Sequence, residues 1–327
     1  MESFVQNIAN VFGLKCENIT KEKFGYKCNI AGGENAAKIQ KLAYTQTNIN
    51  NILFQHEIKT CLMREGFSNI DSFFVTETGL PYHRQGGDIF TISQSPKCKE
   101  KADFTKKDDF LKIIKHVADM HVFLKNINLG SFVPSQRKAI TEPSKAISFL
   151  AAQKKRLLKG GKFSEFDMLF LKSYDIFVSQ ITSFEALDKS VLDKDIYICH
   201  NLLKEENIYI DSEHKPFFKN FSNTSQRHYF YDLTYLIKRL LKVSNGAEMP
   251  LDEVLQEYEK ANPAEAFDED TKNFFMTLLL YPDKFIKLSL DYYNKKRNFT
   301  PKSYLRRMEE CIERNQTLLG YLGFGAC

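Results

Sequence analysis

No tryptophan occurs in this sequence, so aromatic burial rests on 28 phenylalanines and 15 tyrosines, large side chains that anchor a core without reporting on function. Cysteine lacks any useful pattern: Cys16, Cys28, Cys61, Cys98, Cys199, Cys311 and Cys327 are odd in number and form no C-x-x-C pair. That fits neither a zinc site nor a disulfide framework and points to a reducing interior. No apolar run reaches the ~18 residues of a membrane span. The opening MESFVQNIANVFGL has acidic Glu2 where a secretion signal carries basic residues, so cytoplasmic synthesis and no membrane span are expected. Neither sign of charge dominates: 46 Lys and Arg against 41 Asp and Glu give +5, spread along the chain, and no nucleic-acid partner is expected. Internal repeats and low-complexity segments are missing as well.

What is present is a globular composition, 43% hydrophobic and 27% charged over 327 residues. It excludes disorder and exceeds the usual size of one core, so two lobes are expected. FGYKCNIAGGENAAKI reads as two short strands around the turn Gly32-Gly33-Glu34-Asn35, since paired glycines supply the positive φ of a tight hairpin. TNINNILFQHEIKTCLMREGF places Ile49, Ile52, Leu53, His56 and Met63 near helical spacing and stops at Gly66. DSFFVTET and DIFTIS are strand candidates, with Gly79-Leu80-Pro81 and Gly86-Gly87 as turns. A small antiparallel sheet with one inserted helix therefore describes residues 1–92.

Residues 93–327 change character. DFLKIIKHVADMHVFLKN carries Phe110, Ile113, Ile114, Val117, His121 and Leu124 on one stripe, with Asp108 and Asp109 at its positive end. Further helices are predicted over 144–158, 164–187, 232–242, 251–260, 269–280, 283–296 and 301–319, and strands only around 196–198, 207–210 and 216–219. The fold class is α+β, a small N-terminal antiparallel sheet lobe followed by a larger, mainly helical C-terminal lobe.

Within that second part CHNLLKEENIYI, Cys199 to Ile210, joins a lone His to an Asn seven positions later and a strand-like end. Sheet, helix, then a helical lobe carrying this loop resembles the bilobal protein-kinase-like fold of aminoglycoside and choline phosphotransferases, whose loop reads H-x-D-x-x-x-x-N. The resemblance implies that the family Asp handles the acceptor hydroxyl and the Asn helps hold magnesium. His200 and Asn207 match in type and spacing, whereas Leu202 occupies the acid position. The family's later metal motif, IDFD, corresponds to FKNFSNT, so Asn220 and Ser222 replace its two acids. YFYDLTYLIKRLL resembles the following helix, and Asp232 matches the structural Asp that braces the loop. No G-x-G-x-x-G loop is present.

In the N-terminal lobe Lys38, in AAKIQK, matches the lysine that contacts nucleotide phosphates; Glu57 is its natural partner, and Ile89, Phe90 and Ile92 mark the adenine hinge. LMREGFSNIDSFFVTETGLPYHRQGGDIFTIS and LLLYPDKFIKLSLDYYNKKRNFTPKSYLRRMEECI resemble segments of the CotS-type spore coat proteins, a branch of this fold, in ordered blocks over roughly 20–320. A positioned base contributes on the order of 10²–10⁴ in rate and a metal clamp several kcal/mol. Leu202 can accept neither a proton nor a hydrogen bond.

The resemblance therefore implies a spore-coat-associated pseudokinase, a binding or structural component with little or no phosphoryl transfer, partnered by other coat proteins and resident in the spore coat. No cofactor is required on that reading; ATP and Mg, if bound, are held without turnover. The alternative is an active ATP-dependent small-molecule phosphotransferase using Asn207, Asn220 and a relocated carboxylate. Glu205 and Glu206 sit in the loop at positions that normally face away. His200 reads as a loop brace, Cys199 as a core thiol, His121 as a packed side chain and Lys295-Lys296-Arg297 as a solvated helix end.

Overall fold

The computed structural model describes residues 2–23, 25–31, 36–95, 100–125, 127, 142–188, 190, 196–211, 213–244, 249–294 and 300–324. The turn at Gly32–Asn35 and the basic run Lys295–Arg297 lie outside the described residues. The chain groups into two compact units, one of residues 1–136, 196–235 and 260–262, the other of 137–195, 236–259 and 263–327. The loop at 199–207 thus groups with the N-terminal sheet. The sequence break near residue 92 marks a change from strand-rich to helix-rich chain.

In the first unit helix α1 (Glu2–Val11) precedes β1 (Cys16–Glu22), β2 (Gly25–Ile30), β3 (Ala36–Ala43), α2 (Gln46–Arg64), β4 (His83–Gln85) and β5 (Asp88–Ser95). The five strands form one antiparallel sheet in the order β1-β2-β3-β5-β4. Gly25 has φ +148°, and a Cβ there would lie 2.0 Å from the Ile39 carbonyl oxygen, so only glycine allows β2 to start this close to β3. Strand alternation then divides the residues. Cys28, Ala37, Ile39, Phe90 and Ile92 pack against Val5, Ile8 and Ala9 of α1, while Ile89 packs with Ile49 and Ile52 of α2.

Four expectations are corrected here. The N-terminal part carries two helices, not one: Val5, Ile8, Ala9 and Phe12 recur at helical spacing and cover a sheet face that would otherwise be wet. β1 is an additional strand. DSFFVTET is not a regular strand; it makes a single bridge, Phe73 to Ser93, and the residue before it, Ile70, makes another to Phe218. Finally, β10 (Ser225–His228) pairs with β7 (Ile196–Cys199), which presents the loop. The rest of the unit is β6 (Glu100–Lys101), β8 (Ile208–Ile210) and β9 (Pro216–Phe218) in a three-stranded sheet, helix α3 (Lys107–Lys125) with its buried stripe from Phe110 to Leu124, and the first turn of α6 (Phe230–Val243).

The second unit is helical: α4 (Pro143–Gly160), α5 (Glu165–Glu185), the rest of α6, α7 (Leu251–Ala261), α8 (Glu269–Leu280), α9 (Asp283–Tyr293) and α10 (Pro301–Tyr321). α5 opens with a capping box between Ser164 and Asp167. Its buried Phe166, Phe170 and Phe177 meet the aromatics of α9 and α10. Phe166 stacks on Tyr292 at 3.9 Å and Phe177 on Phe285 at 4.1 Å between ring centroids. Helix α9 ends at Tyr293, short of the expected 296. Among the described residues no helix is long and apolar enough to cross a membrane.

Candidate functional site

The loop after β7 is held from below by one carboxylate. Asp232, in the first turn of α6 and fully buried, accepts the backbone N–H of His200 on Oδ2 and that of Asn201 on Oδ1, both at 2.7 Å. His121 Nε2 lies 3.1 Å from the same Oδ2. Burial opposes ionisation of Asp232, but the hydrogen bond and charge of His121 and the Asn201 N–H outweigh it and keep the carboxyl below its ordinary range. Cys199 completes this hub: its thiol donates toward the His228 and Arg227 carbonyls at 3.4 and 3.5 Å, and burial followed by the Asp232 charge pushes its pKa up. His121, Cys199 and Asp232 bring possible ligand atoms within 4.8 Å of one another. A protonated thiol and a carboxylate already filled by N–H donors make them a structural knot.

Asn201, at φ +57°, turns the chain, its amide oxygen taken by Arg227 at 2.8 Å. His200 is fully buried. Its Nδ1 accepts the Leu202 N–H at 3.2 Å, so Nε2 carries the proton and donates to the Lys219 carbonyl at 3.2 Å. Burial lowers the pKa of His200, and the neutral ring ties the loop to the segment bearing Asn220.

Above the loop a cavity of about 560 Å³ is lined from β3, α2, β5 and the loops carrying Asn207 and Asn220. The residues at the degenerate metal positions are bonded to one another. The Ser222 hydroxyl donates to Asn220 Oδ1 at 2.8 Å, Asn220 Nδ2 lies 3.4 Å from Asn207 Oδ1, and Asn207 Nδ2 donates to the Leu202 carbonyl at 2.9 Å. Asn220 Oδ1 and Asn207 Oδ1 thus each already accept a hydrogen bond within this relay, and the Ser222 hydroxyl is engaged as its donor. Asn220 sits at φ +67°, a conformation asparagine tolerates better than most residues.

Two residues that sequence reasoning did not single out dominate the cavity's charge. Lys59 of α2, 2% exposed, places Nζ 2.9 Å from Asp71 Oδ1 and 4.1 Å from the Phe73 ring centroid. Asp71 Oδ2 in turn lies 3.5 Å from the Asn220 N–H. A carboxylate therefore does reach the cleft beside the metal positions, which corrects the picture of a pocket cleared of acids, but a lysine pairs with it. Lys59 was visible in principle: it falls seven residues after Ile52 and three before Leu62, on the buried stripe of α2. Asp71 carried no such sign.

The other expected residues divide. Lys38 lines the cavity, as do Asn207, Asn220 and Ser222. Lys38 pairs with Glu22 of β1 at 3.7 Å, not with Glu57, whose carboxylate takes the Cys61 thiol at 3.6 Å. Ile89, Phe90 and Ile92 do not form a hinge: they are buried mid-strand in β5, Phe90 and Ile92 toward α1 and Ile89 toward α2. Alternation hands the cavity Thr91 and Ser93 instead. Glu206, expected to face away, also lines the cavity and pairs with Lys204 at 2.5 Å. The lining thus holds Lys38, Lys59, Lys204 and Lys219 against Asp71 and Glu206, four cations to two anions.

No family model matches the sequence, and no curated protein does. Solved structures do match the fold. An aminoglycoside phosphotransferase from Alicyclobacillus acidocaldarius aligns over 97% of this chain and 95% of its own at 14% identity, with a TM-score of 0.71. The spectinomycin phosphotransferase APH(9)-Ia in complex with ADP and spectinomycin aligns over 99% and 98% at 12% identity and 0.67. The amicoumacin kinase hAmiN, in complex with AMP-PNP, Ca²⁺ and Ami, aligns over 97% and 92% at 10% and 0.63. With its five-stranded antiparallel N-terminal sheet and mainly helical C-terminal part, the chain has the protein-kinase-like fold of the aminoglycoside and choline phosphotransferase kind.

Proposed function

We propose that this chain is a pseudokinase of the CotS type, a spore-coat-associated protein that uses a phosphotransferase fold to bind rather than to transfer. The observation that carries the reading is the relay from Ser222 through Asn220 to Asn207. Neutral amides and a hydroxyl stand where the chemistry needs anionic ligands, and their oxygens are already engaged. Leu202, at the acid position, supports it. The resemblance in the segments 62–93 and 278–312 supports the coat assignment and, with it, other coat proteins as partners.

A second reading draws on Asp71. As the carboxylate nearest Asn220 it is the candidate for a relocated metal ligand in an active ATP-dependent small-molecule phosphotransferase. The Lys59 ammonium beside it removes most of the attraction a divalent cation would feel.

Thermal denaturation with ATP, with and without magnesium, read beside ADP release, separates the two. A ligand at ~100 times its Kd adds about 2.7 kcal/mol, several degrees of melting shift. A shift that persists in EDTA without ADP release agrees with the pseudokinase. A magnesium-dependent shift with ADP release, lost in Asp71→Asn, overturns it.

A further inference from the structure

The second unit contains a recess that none of the cleft chemistry uses. It has a volume of about 350 Å³ and lies among α5, α6, α8, α9 and α10. Its floor is apolar, with Phe177, Leu279 and Leu318 all buried. Its walls carry five cations, Lys238, Arg239, Lys242, Lys284 and Arg314, against one lining carboxylate, Asp283. That carboxylate is engaged by Lys287 at 2.5 Å. Glu310 of α10 is shared by Lys284 at 3.7 Å, Arg314 at 3.3 Å and Arg306 at 3.9 Å. Cationic side chains thus surround an apolar floor that a single carboxylate lines.

We propose that this recess binds a small amphiphilic anion, a phosphate monoester bearing a short apolar chain, with its head among Lys238, Lys284 and Arg314 and its chain on Phe177, Leu279 and Leu318. The size suits a small ligand, since ligand cavities begin near ~300 Å³. A phosphate offers negative charge and several acceptors to the N–H groups of Lys238, Lys284 and Arg314, Arg314 presenting a planar fork. The apolar floor contributes what inorganic phosphate cannot use.

The state of the lysines agrees with this. Lys238 is exposed as a whole along α6, while its ammonium, 3.5 Å from the Tyr281 carbonyl, is the part that the recess desolvates. Burial lowers its pKa to about 8, against the pull of Asp283 and of Cys311. Lys284 is lowered by burial and by Arg314 and Arg307, with Cys311 and Glu310 opposing. The charged groups facing Lys238 are Arg239 and Lys242 on its own helix, Asp283 and Lys284 on α9, and Arg314 on α10; the recess-lining residues of α8 have no titratable side chain. A bound anion favours the protonated lysine, so binding above about pH 8 takes up protons.

Isothermal titration of the full chain with octyl phosphate, octanoate, octanol and inorganic phosphate, at pH 7 and 8.5 in two buffers of different ionisation heat, tests this. Octyl phosphate is expected to bind at least about tenfold tighter than any of the other three. Its heat at pH 8.5 should depend on the buffer, a dependence that Lys238→Gln reduces. Lys284→Gln with Arg314→Gln should weaken binding about tenfold or more while the unliganded melting curve is retained; if that pair unfolds, Lys238→Gln alone carries the test. No binding by octyl phosphate, equal binding by octanol, or unchanged affinity in the folded variants would overturn the site. Equal binding by octanoate would overturn its phosphate head group. The outcome does not depend on whether the cleft transfers phosphoryl groups.

Discussion

Replacing Asp71 with asparagine strands a buried ammonium. Lys59 is 2% exposed, and its one ion-pair partner in the cavity lies 2.9 Å away. Breaking a buried pair from one side costs about 3–5 kcal/mol, because the remaining charge has neither water nor counter-ion. The ring faces of Phe73 at 4.1 Å and Phe221 at 5.5 Å stay in place and are worth up to ~2 kcal/mol to a desolvated cation. The asparagine oxygen also remains, so the low end, ~3 kcal/mol, is expected. Urea denaturation measures it: for a chain of this size the slope is at or above ~3 kcal/mol per molar, so the midpoint falls by up to about 1 M. Far-UV circular dichroism and tyrosine fluorescence report the transition, since the chain has no tryptophan. Lys59→Met combined with Asp71→Asn removes both charges and should recover most of the loss. A single substitution costing under ~1 kcal/mol, or a double variant no better than the single, would refute a buried, mutually dependent pair.

Asn220→Asp should destabilise the chain in EDTA, because a carboxylate oxygen then meets Asn207 Oδ1 without a bridging proton, and magnesium should raise the variant's melting temperature but not the parent's. Asp232→Asn keeps one acceptor for two N–H donors at 2.7 Å; a loss of about 3 kcal/mol is expected from hydrogen bonds to a charged group, read as a fall in the urea midpoint. His228 is buried and its pKa is lowered to about 3, by burial and then by His121. Between pH 6.5 and 3 the unfolded chain takes up a proton there that the folded chain does not, so stability falls as pH falls, by up to ~1.4 kcal/mol per unit. His228→Gln should flatten that limb of a stability-against-pH curve by this amount. Tyr293→Phe removes the hydroxyl donor to Asp167 Oδ1 at 2.9 Å and should cost about 1.5–3 kcal/mol in the same denaturation assay.

What repeats locally was legible before any tertiary contact was known. The stripe of α3 and the aromatic spacing of α5 made those helices legible, because a 3.6-residue period needs no partner to be read. Gly86 and Gly87 marked the start of β5 by turn chemistry that is equally local. α1 carried an equally readable stripe, though the same residues matter more for covering a sheet than for their own helicity. Loop chemistry was legible where type and spacing coincide, at His200, Asn207 and Asp232.

Only the tertiary structure decided which charges meet. Asp71 and Lys59 are twelve positions apart, yet an ion pair depends on where two elements bring their side chains, which no local period encodes. Lys38 meets Glu22 rather than Glu57 because β1 and β3 flank β2 in one sheet, and a long side chain can reach across the intervening strand. Phe90 and Ile92 became core because strand alternation turns them toward α1, whereas Ile89, on the same face as Thr91 and Ser93, is covered by Ile49 and Ile52 of α2. The relay of Ser222, Asn220 and Asn207 belongs to the same class: the sequence named its members, and the fold turned three possible ligands into partners for one another.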